Sequence, residues 1–461
     1  MLISGRKALV FGAARSGVSS ARFLAERGAT VAIYDKKTIS EWSKEAIELK
    51  EKFGVGLISE EIPSWLLDQI DLAVISPGVP LSLIPIRYLD RKGAEIIGEV
   101  ELAARFLKGQ IVGITGTNGK TTTTTLIGEI LKDAGFKTLV GGNIGRPLID
   151  LVVEAEEETI TVAELSSFQL ESIRHLHPKI AICLNVTPNH LDRYSSFSDY
   201  AAAKHRIFMN QERDDLAILS ADNEITLSWS KNLKPRVSLF SVRRELEEGY
   251  FLKGEKLIER QEGKEIELIE RSKIGIRGLH NIENALAALA AGRFLNADLN
   301  SMRQTLGKFS GVEHRIEFVA EIKGVRYFND SKATSVDAAA KAIDAFADEK
   351  GKLIVIMGGR GKKAPYTPLR EALSRQASAV IAIGEDAETI QSDLTGAVQV
   401  IRCSNLQEAV STAAQKAKSG DIVLLAPACS SFDMFSDFEE RGRVFKQIVG
   451  RLKAGSALGV N

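Results

Sequence analysis

Cysteine is scarce in this 461-residue chain: Cys183, Cys403 and Cys429 lie far apart and form no CxxC pair. That excludes a disulfide framework and a zinc ribbon, and reads as three small buried hydrophobes in a reducing compartment. Net charge is missing too, since 60 Lys plus Arg are matched by 60 Asp plus Glu. Without a basic excess there is no counterion-release term for gripping a nucleic-acid backbone, and no polybasic block for an anionic membrane. No apolar run approaches the roughly 18 residues of a membrane span. The run Ala8 to Phe11 stops at Gly12, too short for a secretory signal. Short-period repeats and low-complexity linkers are absent, and only Ala454 to Asn461 reads as frayed. A cytoplasmic protein with no nucleic-acid partner and no membrane insertion is expected.

What is present is a recurring alternation of short β-branched runs and helical patterns, the arrangement of parallel sheets covered by helices. Length alone indicates two to four domains at roughly 100 to 200 residues each. The first block (residues 1–98) carries the strands KALVFG (Lys7 to Gly12), TVAIYD (Thr30 to Asp35) and DLAVISP (Asp71 to Pro77), with a helix from Ser16 to Arg27. A second block (99–308) opens with QIVGIT at Gln110 and continues through TVAEL, KIAICLNV and LAILSA. Between Val237 and Ile276 its texture changes to a small antiparallel appendage, followed by a helix from His280 to Phe294. The third block (309–461) holds KLIVIMGG, AVIAIG, VQVIRC and DIVLLAPA, each followed by a helical segment. The expected class is α/β, three domains in series: Rossmann-like, P-loop ATPase-like, Rossmann-like.

The sharpest local signal is GITGTNGKTT (Gly113 to Thr122), a glycine loop between a strand and a helix starting near Lys120. In that setting backbone N–H groups of Gly116, Thr117, Asn118 and Gly119 face a phosphate, Lys120 adds a point charge, and Thr121, followed by Thr122, can ligate Mg²⁺. The strict GxxxxGK[ST] pattern fails, because Ile114 occupies its first glycine position. Magnesium also needs oxygen or imidazole ligands from neighbouring strand ends. Glu164, ending TVAEL, and His190, after KIAICLNV, stand at such ends. Either could instead be a solvated strand-end carboxylate or a turn histidine.

Near the start, Gly12-Ala13-Ala14-Arg15-Ser16-Gly17 with Asp35 resembles a degraded dinucleotide fingerprint, with Ala14 at its middle glycine. It fits a nucleotide crevice or a plain structural turn. In the third block GVEHR (Gly311 to Arg315), NDSKAT (Asn329 to Thr334), GGRGK (Gly358 to Lys362) and PACSSFD (Pro427 to Asp433) gather cations and hydroxyls suited to an anionic substrate, or merely solvate loops. His175 and His177 read as an exposed helix end, and His205 as similar.

Taken in order, GTNGKTT, ELSSFQLE, NVTPNHLDRY, YAAAKHRIF, GLHNIENALAA, GVEHRIE, NDSKAT and PACSSFDMF resemble the Mur ligases over nearly the whole chain. GAARSG, DSKAT and PACSSFDMF are similar to the D-glutamate-adding branch. The resemblance implies amide ligation through an acyl phosphate, with ATP and two Mg²⁺ ions, on UDP-N-acetylmuramoyl-L-alanine and D-glutamate. It implies ATP contacts from Lys120, Thr121, Asn281, Asn284, Arg315, Asp330 and Lys332. Metal contacts are implied for Thr121, Glu164, His190 and Lys204, the lysine carried as a carbamate formed from CO₂. Lys120, Glu164, His190 and Lys204 are then the catalytic set. For the UDP-muramoyl substrate the implied residues are Gly12, Ala14, Arg15, Ser16, Gly17, Asp35, Ser76, Gly78, Asn143, Ser166 and His190. For D-glutamate they are Thr334, Lys362, Ser431, Phe438 and His314. Arg360 stands where the family often has aspartate, and Pro188-Asn189 where an acid often precedes the histidine. A monomer is expected. Competing readings are another amide ligase of the superfamily, including the folate-tail enzymes, an NAD-dependent oxidoreductase, and a non-catalytic nucleotide-binding scaffold.

Overall fold

Three parallel-rich sheets organise the protein, each a set of short apolar strands buried on both faces and joined by helical crossovers. The computed structural model describes residues 2–189, 193–276, 278–347, 349–361 and 364–457. The first sheet contains β1 (Lys7–Phe11), β2 (Thr30–Asp35), β3 (Gly56–Ser59), β4 (Leu72–Ile75) and β5 (Glu95–Gly98), all parallel, in the order β3-β2-β1-β4-β5. Strand order reverses between β1 and β4, so the chain opens a crevice at their carboxyl ends. The loops at those ends are Gly12 to Gly17 and Ser76 to Gly78.

The second sheet comprises β6 (Gln110–Thr115), β7 (Thr138–Gly142), β8 (Ile160–Glu164), β9 (Ile180–Cys183), β10 (Leu216–Ser220), β11 (Arg236–Ser241), β12 (Gly249–Lys253), β13 (Lys256–Gln261) and β14 (Lys264–Glu270). Its order is β14-β13-β12-β11-β10-β9-β6-β8-β7. The antiparallel segment differs from the appendage expected. Strand β11 pairs in parallel with β10, and β12 pairs in parallel with β11, so the meander β12–β14 extends the main sheet. The sequence texture there records the hairpins and misses the edge they join.

The third sheet holds β15 (Glu317–Ile322), β16 (Val325–Asn329), β17 (Leu353–Gly358), β18 (Ala377–Ile383), β19 (Val400–Arg402) and β20 (Ile422–Leu425), ordered β15-β16-β20-β17-β18-β19. The strands β3, β5, β7, β15 and β16 are additions to the sequence reading. Most lie at or next to a sheet edge, where half-exposed residues break the apolar run. The helix Phe438–Ala457 passes through Ala454, where fraying was expected, and residues 458–461 lie outside the described residues.

The chain divides into two compact units between Phe309 and Ser310, the first containing both the five- and nine-stranded sheets. Two buried acids explain how those sheets are joined. The helix Glu99–Ala104 follows β5 directly and leads to β6. Its Glu101 is fully buried and accepts from the backbone N–H of Arg174 (2.7 Å), His175 (2.9 Å) and Leu176 (3.3 Å), from Arg105 Nε at 2.9 Å, and pairs with His175 Nδ1 at 2.8 Å. Glu99 accepts from Ile149 N at 2.8 Å. His175 and His177 therefore sit in a turn as ion-pair partners of Glu101 and Asp215, not at a helix end. His205 is half-buried with its ring 4.9 Å from that of Trp229.

Burial works to raise the Glu101 carboxyl, but the N–H groups of Arg174 and His175, with the Arg105 and His175 side chains, hold it below the usual 4.5. Glu101→Ala should cost about 3–5 kcal/mol at pH 7, the scale for stranding a buried charge partner. Urea unfolding followed by tryptophan fluorescence checks this, because Trp42, Trp65 and Trp229 all lie in the first unit; a loss below 1 kcal/mol would refute it. The contribution is complete above the unfolded-state value and disappears as pH falls through the lower folded one, since the unfolded chain takes up the proton first. Wild type should therefore lose its margin over the variant on acidification below 4.5.

Candidate phosphate-binding site and its surroundings

Strand β6 is flanked by β8 and β9, so the loop that leaves it emerges between two other strand ends. The helix Lys120–Asp133 begins where the sequence places it. Gly116 and Gly119 take φ of 150° and 82°, and the helix N-cap Gly119 bears no side-chain cap, leaving first-turn N–H groups for an anion. A Cβ on Gly119 would stand 2.4 Å from Asn284 Oδ1. Asn284 in turn accepts from Thr123 Oγ1 (3.2 Å) and donates to Asn281 Oδ1 (3.1 Å), so the central helix Leu279–Phe294 backs the loop directly.

Loop shape is set by residues that sequence reasoning missed. Asn185, just beyond β9, accepts from Asn118 N at 2.9 Å through its side chain and from Thr117 N at 2.9 Å through its carbonyl. Thr117 Oγ1 accepts from Thr187 N at 3.0 Å and lies 3.1 Å from the Tyr200 hydroxyl. The available signal was an asparagine immediately after a buried apolar strand.

Two ammonium groups converge on one carbonyl. Lys120 Nζ donates to Gly116 O at 2.9 Å and Thr117 O at 3.1 Å, while Lys204 Nζ donates to the same Gly116 O at 2.8 Å. Lys204 is 2% exposed, and burial, reinforced by the Lys120 charge, pushes its amine down to about 7. Glu164, also buried at the end of β8, accepts from Asn143 Nδ2 at 2.7 Å through Oε1. Among the described residues its Oε2 has no hydrogen-bond partner. A buried, half-used carboxylate at Glu164 and the buried hydroxyl of Thr121 are oxygen donors of the kind Mg²⁺ takes alongside phosphates. Among the described residues no three His, Cys, Asp or Glu side chains form a complete metal cage. Phosphate-shared Mg²⁺ needs only one or two protein carboxylates. His190 lies outside the described residues, and Thr122 follows Thr121 in the first helical turn.

At the first crevice, the loop Gly12 to Gly17 is so tight that a Cβ on Gly17 would stand 1.9 Å from Gly12 O. Asp35 braces it, accepting from Ala13 N (2.8 Å) and Lys37 N (3.0 Å). Ala14 and Arg15 are exposed and Ser16 half-buried; Arg15 donates to Gly145 O at 2.8 Å, close to Asn143. Ser76 is buried with its hydroxyl unpartnered among the described residues, in a small cleft shared with Pro77, Glu99, Phe168 and Arg193. Gly78 is next in that turn. Ser166 caps the short helix Ser167–Leu170 by accepting from Gln169 N.

In the second unit, Arg315, Asp330, Lys332 and Thr334 come together around the end of β16. Burial pushes the Asp330 carboxyl up to about 7, against Arg315, the Ile316 N–H and Lys332. Lys332 N donates to His314 O at 3.2 Å, and Lys332 Nζ stands 5.8 Å from the centre of the Phe438 ring. His314 is buried in the left-handed region, with Nδ1 2.9 Å from Asn329 Nδ2. Ser431 is buried beyond β20. Arg360 is paired with Glu385 through two 3.0 Å contacts. Lys362 lies outside the described residues.

The chain is similar to known proteins in both sequence and structure. The family model described as Mur ligase middle domain matches residues 114–292, Mur ligase, glutamate ligase domain matches 314–429, and Mur ligase MurD-like, N-terminal domain matches 6–98. A UDP-N-acetylmuramoylalanine--D-glutamate ligase of Koribacter versatilis is 44% identical over 98% of this chain and 99% of its own. One of Solibacter usitatus is 45% identical over 98% and 99%. In structure, the UDP-N-acetylmuramate-alanine ligase of Thermotoga maritima matches with a TM-score of 0.59 at 20% identity, covering 97% of this chain and 99% of that one. Escherichia coli FolC matches with a TM-score of 0.57 at 16% identity, covering 76% and 92%.

Gly119→Ala should lower affinity for a non-hydrolysable ATP analogue at least tenfold, because the methyl group meets Asn284 and a left-handed backbone costs a non-glycine residue roughly 1–2 kcal/mol. Isothermal titration, with the thermal midpoint as folding control, reads this out. Unchanged affinity in a folded variant would remove the loop from the nucleotide site.

Proposed function

The chain belongs to the Mur ligases, and on that premise we propose that it is an ATP-dependent ligase joining D-glutamate to UDP-N-acetylmuramoyl-L-alanine in peptidoglycan precursor synthesis. The observation that carries the nucleotide half is the glycine loop after β6, with two lysines on its Gly116 carbonyl and a half-used buried carboxylate at Glu164. The choice of substrates is supported by relatives of that name matching at 42–45% identity over almost the full chain.

A carboxylate is a poor electrophile, so the amide must be made in two steps. An oxygen of the alanyl carboxylate attacks the γ-phosphorus, the bond to the β–γ bridging oxygen breaks, and ADP leaves with that electron pair. The product is an acyl phosphate. The amine nitrogen of D-glutamate then attacks the acyl carbon; the tetrahedral adduct expels phosphate and the nitrogen loses a proton. The uncapped N–H groups of the first turn of the helix Lys120–Asp133, with Lys120, balance charge on the transferring phosphoryl group, whereas the Thr117 and Asn118 N–H groups are taken up by Asn185. Thr121 and Glu164 are the described residues that would hold Mg²⁺, with His190 a further candidate; the ion supplies charge neutralisation on phosphate oxygens. Asn143 fixes the Glu164 rotamer from behind. Asn281 and Asn284 are the nucleotide-placing residues of the central helix, and Arg315, Asp330 and Lys332 occupy the remaining ATP-contacting positions that the family resemblance implies. The loops Gly12 to Gly17 and Ser76 to Gly78 serve the uridine end, and Thr334, Lys362, Ser431 and Phe438 the amino acid.

Lys204 fits a carbamate. An amine pushed down to about 7 is substantially neutral at physiological pH, and the neutral form attacks CO₂. The N–C bond forms, a proton leaves, and a cation crowded by Lys120 becomes an anion facing it. The protein acts as a cytoplasmic enzyme on small molecules; among the described residues no helix is long and apolar enough to cross a membrane.

The test is phosphate release from ATP with UDP-N-acetylmuramoyl-L-alanine and each candidate amino acid in turn. D-Glutamate should stimulate it; stimulation by another amino acid alone would reassign the enzyme within the family. Separately, ¹³C-labelled bicarbonate should give a carbamate resonance that Lys204→Ala lacks, and that variant should lose most activity and regain part of it with added acetate. Full activity in Lys204→Ala would remove the carbamate from the mechanism.

A further inference from the structure

Arg441, the fourth residue of the helix Phe438–Ala457, is fully buried. Nε donates to Ser331 Oγ at 2.9 Å and Nη2 to Ser331 O at 2.9 Å. Both terminal nitrogens donate to Cys429 O at 3.2 Å, and Nη1 reaches Gly358 O at 3.4 Å. Among the described residues no carboxylate lies within ion-pair distance of it. Burial pushes its guanidinium down to about 10. Charge of this kind is costly to bury, and neutral side chains of like volume commonly pack at least as well.

The three acceptors explain what the cost secures. Ser331 follows β16, Cys429 follows β20 and Gly358 ends β17, three adjacent strands of one sheet. Thr334 lies three residues past Ser331, Ser431 two past Cys429, and Lys362 four past Gly358. Ser331 Oγ also donates to Phe438 O at 2.8 Å, tying in the helix that carries Arg441 itself. Ala428, one residue before the doubly bonded Cys429 carbonyl, is held at φ 58°, a conformation that needs such support. A planar guanidinium presents donors in a fixed fork, so one side chain sets the spacing of all three loops.

We infer that Arg441 is a positioning residue for the amino-acid substrate: its fork fixes the loops that bear Thr334 and Ser431 relative to one another. This rests on the reading of those loops as the D-glutamate site. Asp433 acts on the guanidinium from beyond ion-pair distance, so the hydrogen bonds to main-chain carbonyls, and not a salt bridge, hold Arg441 in place.

Two variants separate fork from charge: Arg441→Lys keeps the charge without the fork, and Arg441→Met keeps neither. Four quantities are measured: the thermal midpoint, the KM for ATP, acyl-phosphate formation without amino acid by borohydride trapping, and kcat/KM for D-glutamate against D-glutamine. Arg441→Lys should raise the KM for D-glutamate tenfold or more, with the ATP KM and acyl-phosphate yield within twofold of wild type. Arg441→Met should raise it at least as far, and both variants should keep the preference for D-glutamate over D-glutamine within threefold of wild type, because the fork and not the charge is what acts. A D-glutamate KM within twofold of wild type in folded Arg441→Lys, or an ATP defect of equal size, overturns the inference. So does failure of both variants to fold, which makes Arg441 a folding determinant only. Wild-type enzyme that ignores D-glutamate overturns the functional reading itself, and shows this before any variant is made.

Discussion

Two lysine side chains resting on the carbonyl of Gly116 set the terms for everything around them. Burial first, and the Lys120 charge second, work against a proton on Lys204 and push its amine down to about 7. The protein tolerates the pair because Gly116 O accepts from both and because Glu164 stands nearby at the end of β8.

The parallel arrangement of β9, β6 and β8 is what makes the convergence possible. Lys120 comes from the helix after β6, Glu164 from the end of β8 and the Asn185 brace from beyond β9, so three separate strand ends deliver their groups to one edge. Lys204 arrives from the helix Phe197–His205, which sits between β9 and β10 in the chain. The second unit repeats the device with different chemistry. There a single buried guanidinium replaces the glycine loop as the organising element, gathering carbonyl groups where the first site gathers N–H groups.

Much of this was legible in the sequence. Buried parallel strands are continuous apolar runs, so β1, β2, β4, β6, β8, β9, β10, β17, β18 and β20 could be read directly, and the glycine loop could be placed between its strand and helix. Strands such as β3, β7 and β15 were not legible because their half-exposed residues dilute the apolar signal. The extent of the second sheet was hidden for a different reason: which strand a meander joins is a long-range choice that no local pattern encodes. Site residues with charge or glycine character announced themselves. Asn185, Tyr200 and Arg441 did not, since each acts on main-chain atoms distant in sequence, and an arginine in Glu-Glu-Arg-Gly-Arg reads as one more charge on a solvated helix.

The strand pairing of β6 also bears on how the protein comes to exist. Its partners are β8, whose register begins at Ile160, and β9, whose register begins at Ile180, so the strand that carries the phosphate loop has no neighbour for dozens of residues after it leaves the ribosome. At roughly 5–20 residues per second of synthesis, several seconds pass with that apolar strand unpaired. Contacts this remote in sequence are slow to close. The first sheet, complete by Gly98, can form meanwhile, and the helix Glu99–Ala104 can then offer Glu101 to the Arg174–Leu176 turn as soon as it emerges. That carboxylate is the contact through which the helix after the first sheet takes hold of the turn that precedes β9.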